Sequence, residues 1–291
     1  MAKARALDKR RKSVRSIRKI TRTMELISTA SYRKSMERAV NATAYTNRLT
    51  SMVGELARSG LDVKHPLLEP HASSDNAVLL VLTSNRGMCG GYNGAVIRQA
   101  VKRWKELTGS CSGATLEVVG KRGVSTFKFR GETVSQSYLD FEDKPAYAQV
   151  EAIANKYLEL YQAGKLDRLD VVYTKFVNMS RQTATLETLL PLSELASGDS
   201  EQPKTAHDYE FLPSAESILE EVVPASFKMK LFKCFLDAAV SEQIARMVAM
   251  KSATENADKM IHALSMSYNR ARQGQITGEL TELIGGVEAL K

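Results

Sequence analysis

"LVLTSNRGMCGGYNGAVI", residues 80–97, passes from an apolar run through Gly87, Gly90, Gly91 and Gly94 into a helix-like segment. Strand, tight loop, helix is the unit from which open parallel sheets are built, and it is also a common way of holding a phosphate. The architecture follows from the pattern, but the phosphate chemistry does not. A phosphate-binding loop of the G-x-x-x-x-G-K-[ST] kind needs a lysine and a hydroxyl at its end, and neither is present here. The dinucleotide fingerprint G-x-G-x-x-G is not matched by the spacing Gly87-x-x-Gly90-Gly91-x-x-Gly94. The loop therefore reads as a structural turn in which Gly87, Gly90 and Gly91 supply the backbone freedom, with positive φ at one or more of them. A third reading has the loop dock on a neighbouring element through Arg86 and Tyr92. Cys89 in this loop is a thiol without a partnering histidine in the sequence around it, so it reads as a packed small residue rather than a nucleophile.

On either side of this loop the chain alternates. Residues 76–84, 114–120, 133–141, 169–178 and 183–192 read as strands, and 94–107 and 147–164 as helices. Near-continuous apolar strands separated by helices predict a doubly wound, largely parallel sheet covered on both faces. The expected globular α/β domain spans 75–195. An acidic loop over 196–221 follows, with seven acids, one lysine, Gly198, Pro203 and Pro213.

The two ends differ. All seven prolines lie between positions 66 and 224, and both arms are rich in helix formers. We expect one long helix over 1–62 and another over 222–291, paired as an antiparallel coiled coil. Met247, Met250, Thr254, Ala257, Ile261, Leu264, Tyr268 and Ala271 step by threes and fours, which is a heptad seam. Ile276, Leu280, Leu283, Val287 and Leu290 continue it after a phase change near Gly274. On the first arm, Ile17, Ile20, Met24 and Ile27 make the matching stripe. Ala238, Ala239, Ser241, Ala245, Ala249 and Ala253 let backbones approach closely.

Charge is uneven. The chain carries +8 overall, but residues 1–60 alone hold 15 Lys and Arg against 4 Asp and Glu. Such an arm faces nucleic acid, anionic lipid or an acidic protein surface. Three scattered cysteines form no disulfide framework, and four scattered histidines show no zinc spacing. No apolar run approaches the roughly 20 residues of a membrane helix. No catalytic set stands out. On the residues alone, an α/β enzyme holding a nucleotide at 83–94 and a basic coiled-coil nucleic-acid binder remain open alternatives.

Longer motifs add a resemblance. "SIRKITRTMELIST" (16–29), "RGMCGGYN" (86–93), "VGKRG" (119–123), "SEQIARMVAMKSATENA" (241–257) and "YNRARQGQITGELTELIGGVEAL" (268–290) resemble the gamma subunit of rotary F-type ATP synthases. The resemblance covers nearly the whole chain. It implies a central stalk that transmits torque between a membrane c ring and the catalytic ring, coupling proton flow to ATP synthesis or hydrolysis. It implies no active site of its own and no cofactor or metal. It implies alpha and beta subunits, epsilon and the c ring as partners, with no nucleic acid and no small-molecule substrate. It implies peripheral attachment at the cytoplasmic face of a bacterial inner membrane, or else at an organellar inner membrane. By the same resemblance Met24, Glu242 and Arg246 match positions tied to coupling. Arg272, Gln273 and Thr277 match positions where the last helix meets a catalytic-subunit loop. "HDYEFLP" (207–213) resembles a stretch on the c-ring side, which places Tyr209 and Glu210 there.

Overall fold

The computed structural model describes residues 2–58, 66–68, 71, 75–141, 144–192 and 215–290. Its elements are α1 (Ala2–Arg58), β1 (Ala77–Leu82), α2 (Tyr92–Ser110), β2 (Thr115–Val119), α3 (Lys121–Phe129), β3 (Gln136–Tyr138), α4 (Tyr147–Gln162), β4 (Arg168–Asn178), β5 (Arg181–Leu190) and α5 (Ala215–Ala289). Contacts divide them into two compact units. One joins α1 up to Thr29 with α5 from Arg246 onward, and the other is Ala30–Ala245.

In the larger unit the five strands form one sheet of order β3-β2-β1-β4-β5. β1 pairs in parallel with both β2 and β4, β2 with β3, and only the β4–β5 hairpin is antiparallel. All six residues of β1 are buried, as expected of a strand covered on both faces. Period-two alternation sorts its side chains. Val78, Leu80 and Leu82 join a core with Val150, Ile153 and Tyr157 of α4 and with Leu219, Val223, Phe227 and Leu231 of α5. Ala77, Leu79 and Val81 face the other way, against Val96, Ala100 and Trp104 of α2 and Phe127 of α3. Pro224 lies inside α5, where it removes a helical hydrogen bond. The buried ridge around it, Leu219 to Leu231 at four-residue steps, supplies the packing that offsets this.

The sheet follows the expected doubly wound, largely parallel form, with two differences. The run at 133–141 yields only three strand residues. The nine-residue helix α3 was not anticipated, because "KRGVSTFKF" begins with two cations and a glycine and shows no long apolar stripe. A third apolar cluster completes this unit: Ala39 and Ala42 of α1 pack on Leu236, Val240 and Ile244 of α5, with Phe176 of β4 beside them.

In the smaller unit α1 and α5 run antiparallel. Thr21 meets Thr254, Arg18 meets Asp258, and the Arg11 guanidinium lies 4.6 Å from the centroid of the Tyr268 ring, so rising numbers on one helix face falling numbers on the other. The α5 seam is as expected through Ala271: Met250, Thr254 and Ala257 are buried, and Ile261, Leu264, Tyr268 and Ala271 are partly so. The α1 stripe is a correction. Ile17, Ile20 and Ile27 point outward at 52%, 58% and 59% exposure, and the inward positions are Val14, Thr21 and Ser28. Small polar residues pass unnoticed in a hydrophobic count, whereas isoleucines at helical spacing do not. The expected continuation of the α5 seam is corrected too. Ile276, Leu280, Leu283, Val287 and Leu290 are all exposed, from 46% to 90%, with no element of the chain over them among the described residues.

Candidate functional site

The glycine loop is closed by its own side chains. Asn93, in the first turn of α2, accepts from the Ser84 N–H at 3.0 Å and donates to Ser84 Oγ at 2.7 Å. Ser84 Oγ in turn donates to the Arg86 carbonyl at 2.6 Å. The same Asn93 amide lies 3.2 Å from the Cys89 sulfur, and Ser84 Oγ lies 3.7 Å from it. Neither neighbour is a base, and Cys89 is buried, so the arrangement has the form of a packed thiol. Positive φ falls at Gly90 (57°) and, unusually for a side chain of that size, at Met88 (62°). Gly91 caps α2 at φ −83° and ψ 0°, and Gly87 lies under the Arg122 guanidinium. Tyr92 reaches away from the loop and donates to the Ala238 carbonyl of α5 at 3.2 Å. Gly120, in the neighbouring VGKRG turn, has φ 92°, and a Cβ there would collide with the Thr83 carbonyl. The ends of β1 and β2 are thus locked together backbone to backbone.

A crevice lies outside the carboxyl ends of β1 and β2, the end of an open α/β sheet at which ligands bind. Here it is lined by Leu82, Thr83, Tyr92, Phe141, Phe235 and Glu242, and its free space is about 50 Å³. That is far below the roughly 300–1,000 Å³ of a ligand pocket. Among the described residues no group of His, Cys, Asp and Glu could hold a metal ion.

Four buried carboxylates, Glu117, Asp167, Asp170 and Asp237, escaped sequence reasoning, because a lone acid carries no spacing signal. Glu117 accepts from Tyr157 at 2.6 Å, Tyr138 at 2.8 Å and Lys156 at 2.8 Å. Burial is the largest single effect on Lys156 and would lower its pKa, but the hydrogen bond and charge of Glu117 together with Tyr138 outweigh it, so the amine is held above its usual value and stays charged. Asp237 on α5 is 3% exposed. Burial pushes its carboxyl up to about 6, with Glu187 adding to the rise and Lys233, Lys175 and the Phe176 N–H opposing it.

The residues singled out in the sequence fall in several places. Arg246 is buried, Met24 and Glu242 are half-buried, and Arg272, Gln273 and Thr277 are exposed. Counting from the Thr21–Thr254 pair, Met24 lies opposite Lys251 and Arg246 opposite Thr29, so Met24 and Arg246 lie about five residues apart along the seam. Gln273 is 19 residues beyond Thr254, roughly 28 Å of helix at ~1.5 Å per residue. Tyr209 and Glu210 lie outside the described residues. No described helix is long and apolar enough to cross a membrane.

Residues 3–290 match the family model described as ATP synthase. The "ATP synthase gamma chain" of Rhodopirellula baltica is 62% identical over the whole of both chains. The chain belongs to the ATP synthase gamma-chain family. A gamma chain from Saccharopolyspora erythraea is 38% identical over all of this chain and 98% of its own. Among solved structures, a chain of the Euglena gracilis mitochondrial ATP synthase (OSCP/F1/c-ring) matches with a TM-score of 0.66 and 19% identity, over 99% of this chain and 95% of that one. A chain from the Tetrahymena thermophila central stalk and c ring matches with a TM-score of 0.58 over 80% of this chain and 99% of that one. At such identities the structures speak for the gamma-chain fold, and the full-length relatives speak for the family.

Proposed function

We propose that this gamma chain is the rotor shaft of an F-type ATP synthase and has no active site of its own. It carries torque between a c ring and a ring of alternating alpha and beta subunits. The observation that carries the reading is the end of α5: its last five turns present Ile276, Leu280, Leu283, Ile284 and Val287 to solvent with no cover from the described residues. An apolar helix of that length asks for a surrounding partner. The exposed Arg272, Gln273 and Thr277 at the start of this stretch are assigned to contact with a catalytic-subunit loop, and Met24, Glu242 and Arg246 to coupling. Gly87, Gly90 and Gly91 are assigned a structural role, supported by the self-filled loop they form. The c-ring side, including Tyr209 and Glu210, and the epsilon subunit complete the partners. The complex is peripheral to the cytoplasmic face of a bacterial inner membrane, in keeping with the bacterial relatives.

Membrane vesicles lacking this chain, compared with the same vesicles after its restoration, test the reading. Restoration is expected to return ATP-driven proton uptake, and the tagged chain to bring down alpha and beta subunits. Proton uptake that is equally strong without the chain would overturn the assignment. In equilibrium dialysis the isolated chain is expected to retain neither ATP nor NAD at micromolar concentration.

A further inference from the structure

The seam of the smaller unit is polar where an apolar pair would pack as well. Thr254 Oγ1 lies 2.9 Å from Thr21 Oγ1, and both residues are buried. One turn on, Arg18 Nε meets Asp258 Oδ1 at 2.5 Å. Further toward the α1 N-terminus, Arg11 lies over the ring of Tyr268. An open, charged groove lined by Arg18, Arg22, Glu25, Lys251, Glu255 and Asp258 runs beside the first two contacts.

The apolar part of this seam discriminates poorly between alignments. On α1, Leu7, Val14, Thr21 and Ser28 recur at seven-residue steps, and each is small or medium-sized. On α5, a slide of one heptad exchanges Met250 with Ala257, Ala257 with Leu264, and Leu264 with Ala271. Such exchanges keep apolar groups in the seam. The polar contacts do not survive the same slide. Thr21 would face Met247 or Ile261, and its hydroxyl, which also donates to the Arg18 carbonyl at 3.1 Å, would lose its cross-helix partner Thr254. Arg18 would face Lys251 or Ser265, and Arg11 would face Ile261 or Gln275. In one direction a salt bridge thus becomes a like-charge pair. Polar residues in a coiled-coil seam are a recognised means of fixing register at some cost in stability. The ion pair is half-exposed on both sides and contributes direction rather than affinity.

We propose that the Thr21–Thr254 hydroxyl pair, backed by Arg18–Asp258, is the register key of this helix pair, holding α1 and α5 against axial sliding. Its use under torque rests on the rotor reading above, whereas the register role stands without it.

The test replaces both hydroxyls by methyls, Thr21→Val with Thr254→Val, and compares this with Thr21→Ser with Thr254→Ser. Spin labels are placed at the exposed positions Ser13 and Thr281 of the full chain, offset by about 28 Å along the seam so that an axial slide is read directly, after Cys89→Ala, Cys111→Ser and Cys234→Ala. The parent and the Ser pair are expected to give one narrow distance. The Val pair is expected to keep its helicity and thermal midpoint, since valine fills the same space, yet to gain a second population displaced by about 10 Å, one heptad of helix rise. A single unshifted distance in the Val pair would overturn the key, as would a Val pair that loses thermal stability without gaining the second distance. Protons pumped per ATP, measured on the assembled complex, should fall for the Val pair and recover for the Ser pair. A register shift with unimpaired pumping would uphold the key and count against the rotor reading.

Discussion

The phenol of Tyr92 donates to the backbone carbonyl of Ala238 across 3.2 Å, joining the first residue of α2 to the middle of α5 within the larger unit. The glycine loop is thereby fixed to the long helix. Its polar groups are turned toward protein, not toward a ligand. Tyr92→Phe keeps the ring in place and removes only this bond. It is expected to cost about 0.5–1.5 kcal/mol in urea unfolding, the usual net worth of one hydrogen bond. It should leave nucleotide retention at its parental level, because the loop serves packing.

Within the loop the glycines are not equivalent. Gly90 has φ 57°, a region that costs a residue with a Cβ roughly 1–2 kcal/mol. Gly91 has φ −83°, and a Cβ there would meet no atom within 4 Å. Gly90→Ala is therefore expected to lower stability by about 1–2 kcal/mol, and Gly91→Ala to stay within about 0.5 kcal/mol of the parent. Equal losses at the two positions in denaturant titrations would remove the backbone argument.

Asp237 predicts a pH dependence. Its folded-state pKa of about 6 lies above the ordinary 3.8, so folding favours the protonated form. The stability it contributes is present below about pH 4, is lost as pH rises toward 6, and is then flat. The difference of about two pH units corresponds to about 3 kcal/mol at ~1.36 kcal/mol per unit. Asp237→Asn keeps an oxygen for the Phe176 N–H and has no charge to bury. It should stabilise the protein by up to about 3 kcal/mol above pH 6 and by little near pH 4. Urea unfolding of both proteins from pH 4 to 7.5 measures this, and a constant offset across the range would refute the titration.

Much of the fold was legible because alternation and heptads are signals in the sequence itself. "AVLLVL", short and followed by a glycine loop, read as a doubly covered strand, and Met250, Thr254 and Ala257 kept heptad step. What misled was side-chain size. Ile17, Ile20 and Ile27 are large and apolar, so they suggested the seam of α1. The close approach of the helices instead selected Thr21 and Ser28, whose small volume and hydroxyls leave no hydrophobic trace. The exposed end of α5 follows the same logic in reverse. Leu280 and Leu283 keep a seam spacing, but among the described residues no element of the chain lies over them. The residues proposed for coupling and for contact with a catalytic-subunit loop come from motif resemblance alone, while the Thr21–Thr254 contact needed coordinates.

Met24 gives the last prediction. It is half-buried on α1 and, by the register of Thr21 on Thr254, lies opposite Lys251 with Arg22 two residues before it. In Met24→Lys the new ammonium would meet the Lys251 cation if it turned toward α5. It is therefore driven outward along its flexible stem, toward whatever surrounds the shaft. An acidic group there would hold it by a charge-assisted hydrogen bond, about 1.5–3 kcal/mol. Such a bond at one stopping point raises the barrier to leaving it, slowing that step by roughly 10- to 150-fold at ~1.4 kcal/mol per decade. Synthesis, which works near balance, should suffer more than hydrolysis, which runs far downhill. Assembly is expected to be intact and ATP hydrolysis substantial, with proton pumping per ATP and ATP synthesis both reduced. Met24→Leu, apolar and of like volume, should behave as the parent. Substitutions at Gln273 or Arg246 that loosen the shaft's contacts should partly restore pumping to the lysine variant. The measurement is ATP-driven proton uptake by membrane vesicles normalised to ATPase rate, and a Met24→Lys complex with the parental ratio would show that this residue has no part in coupling.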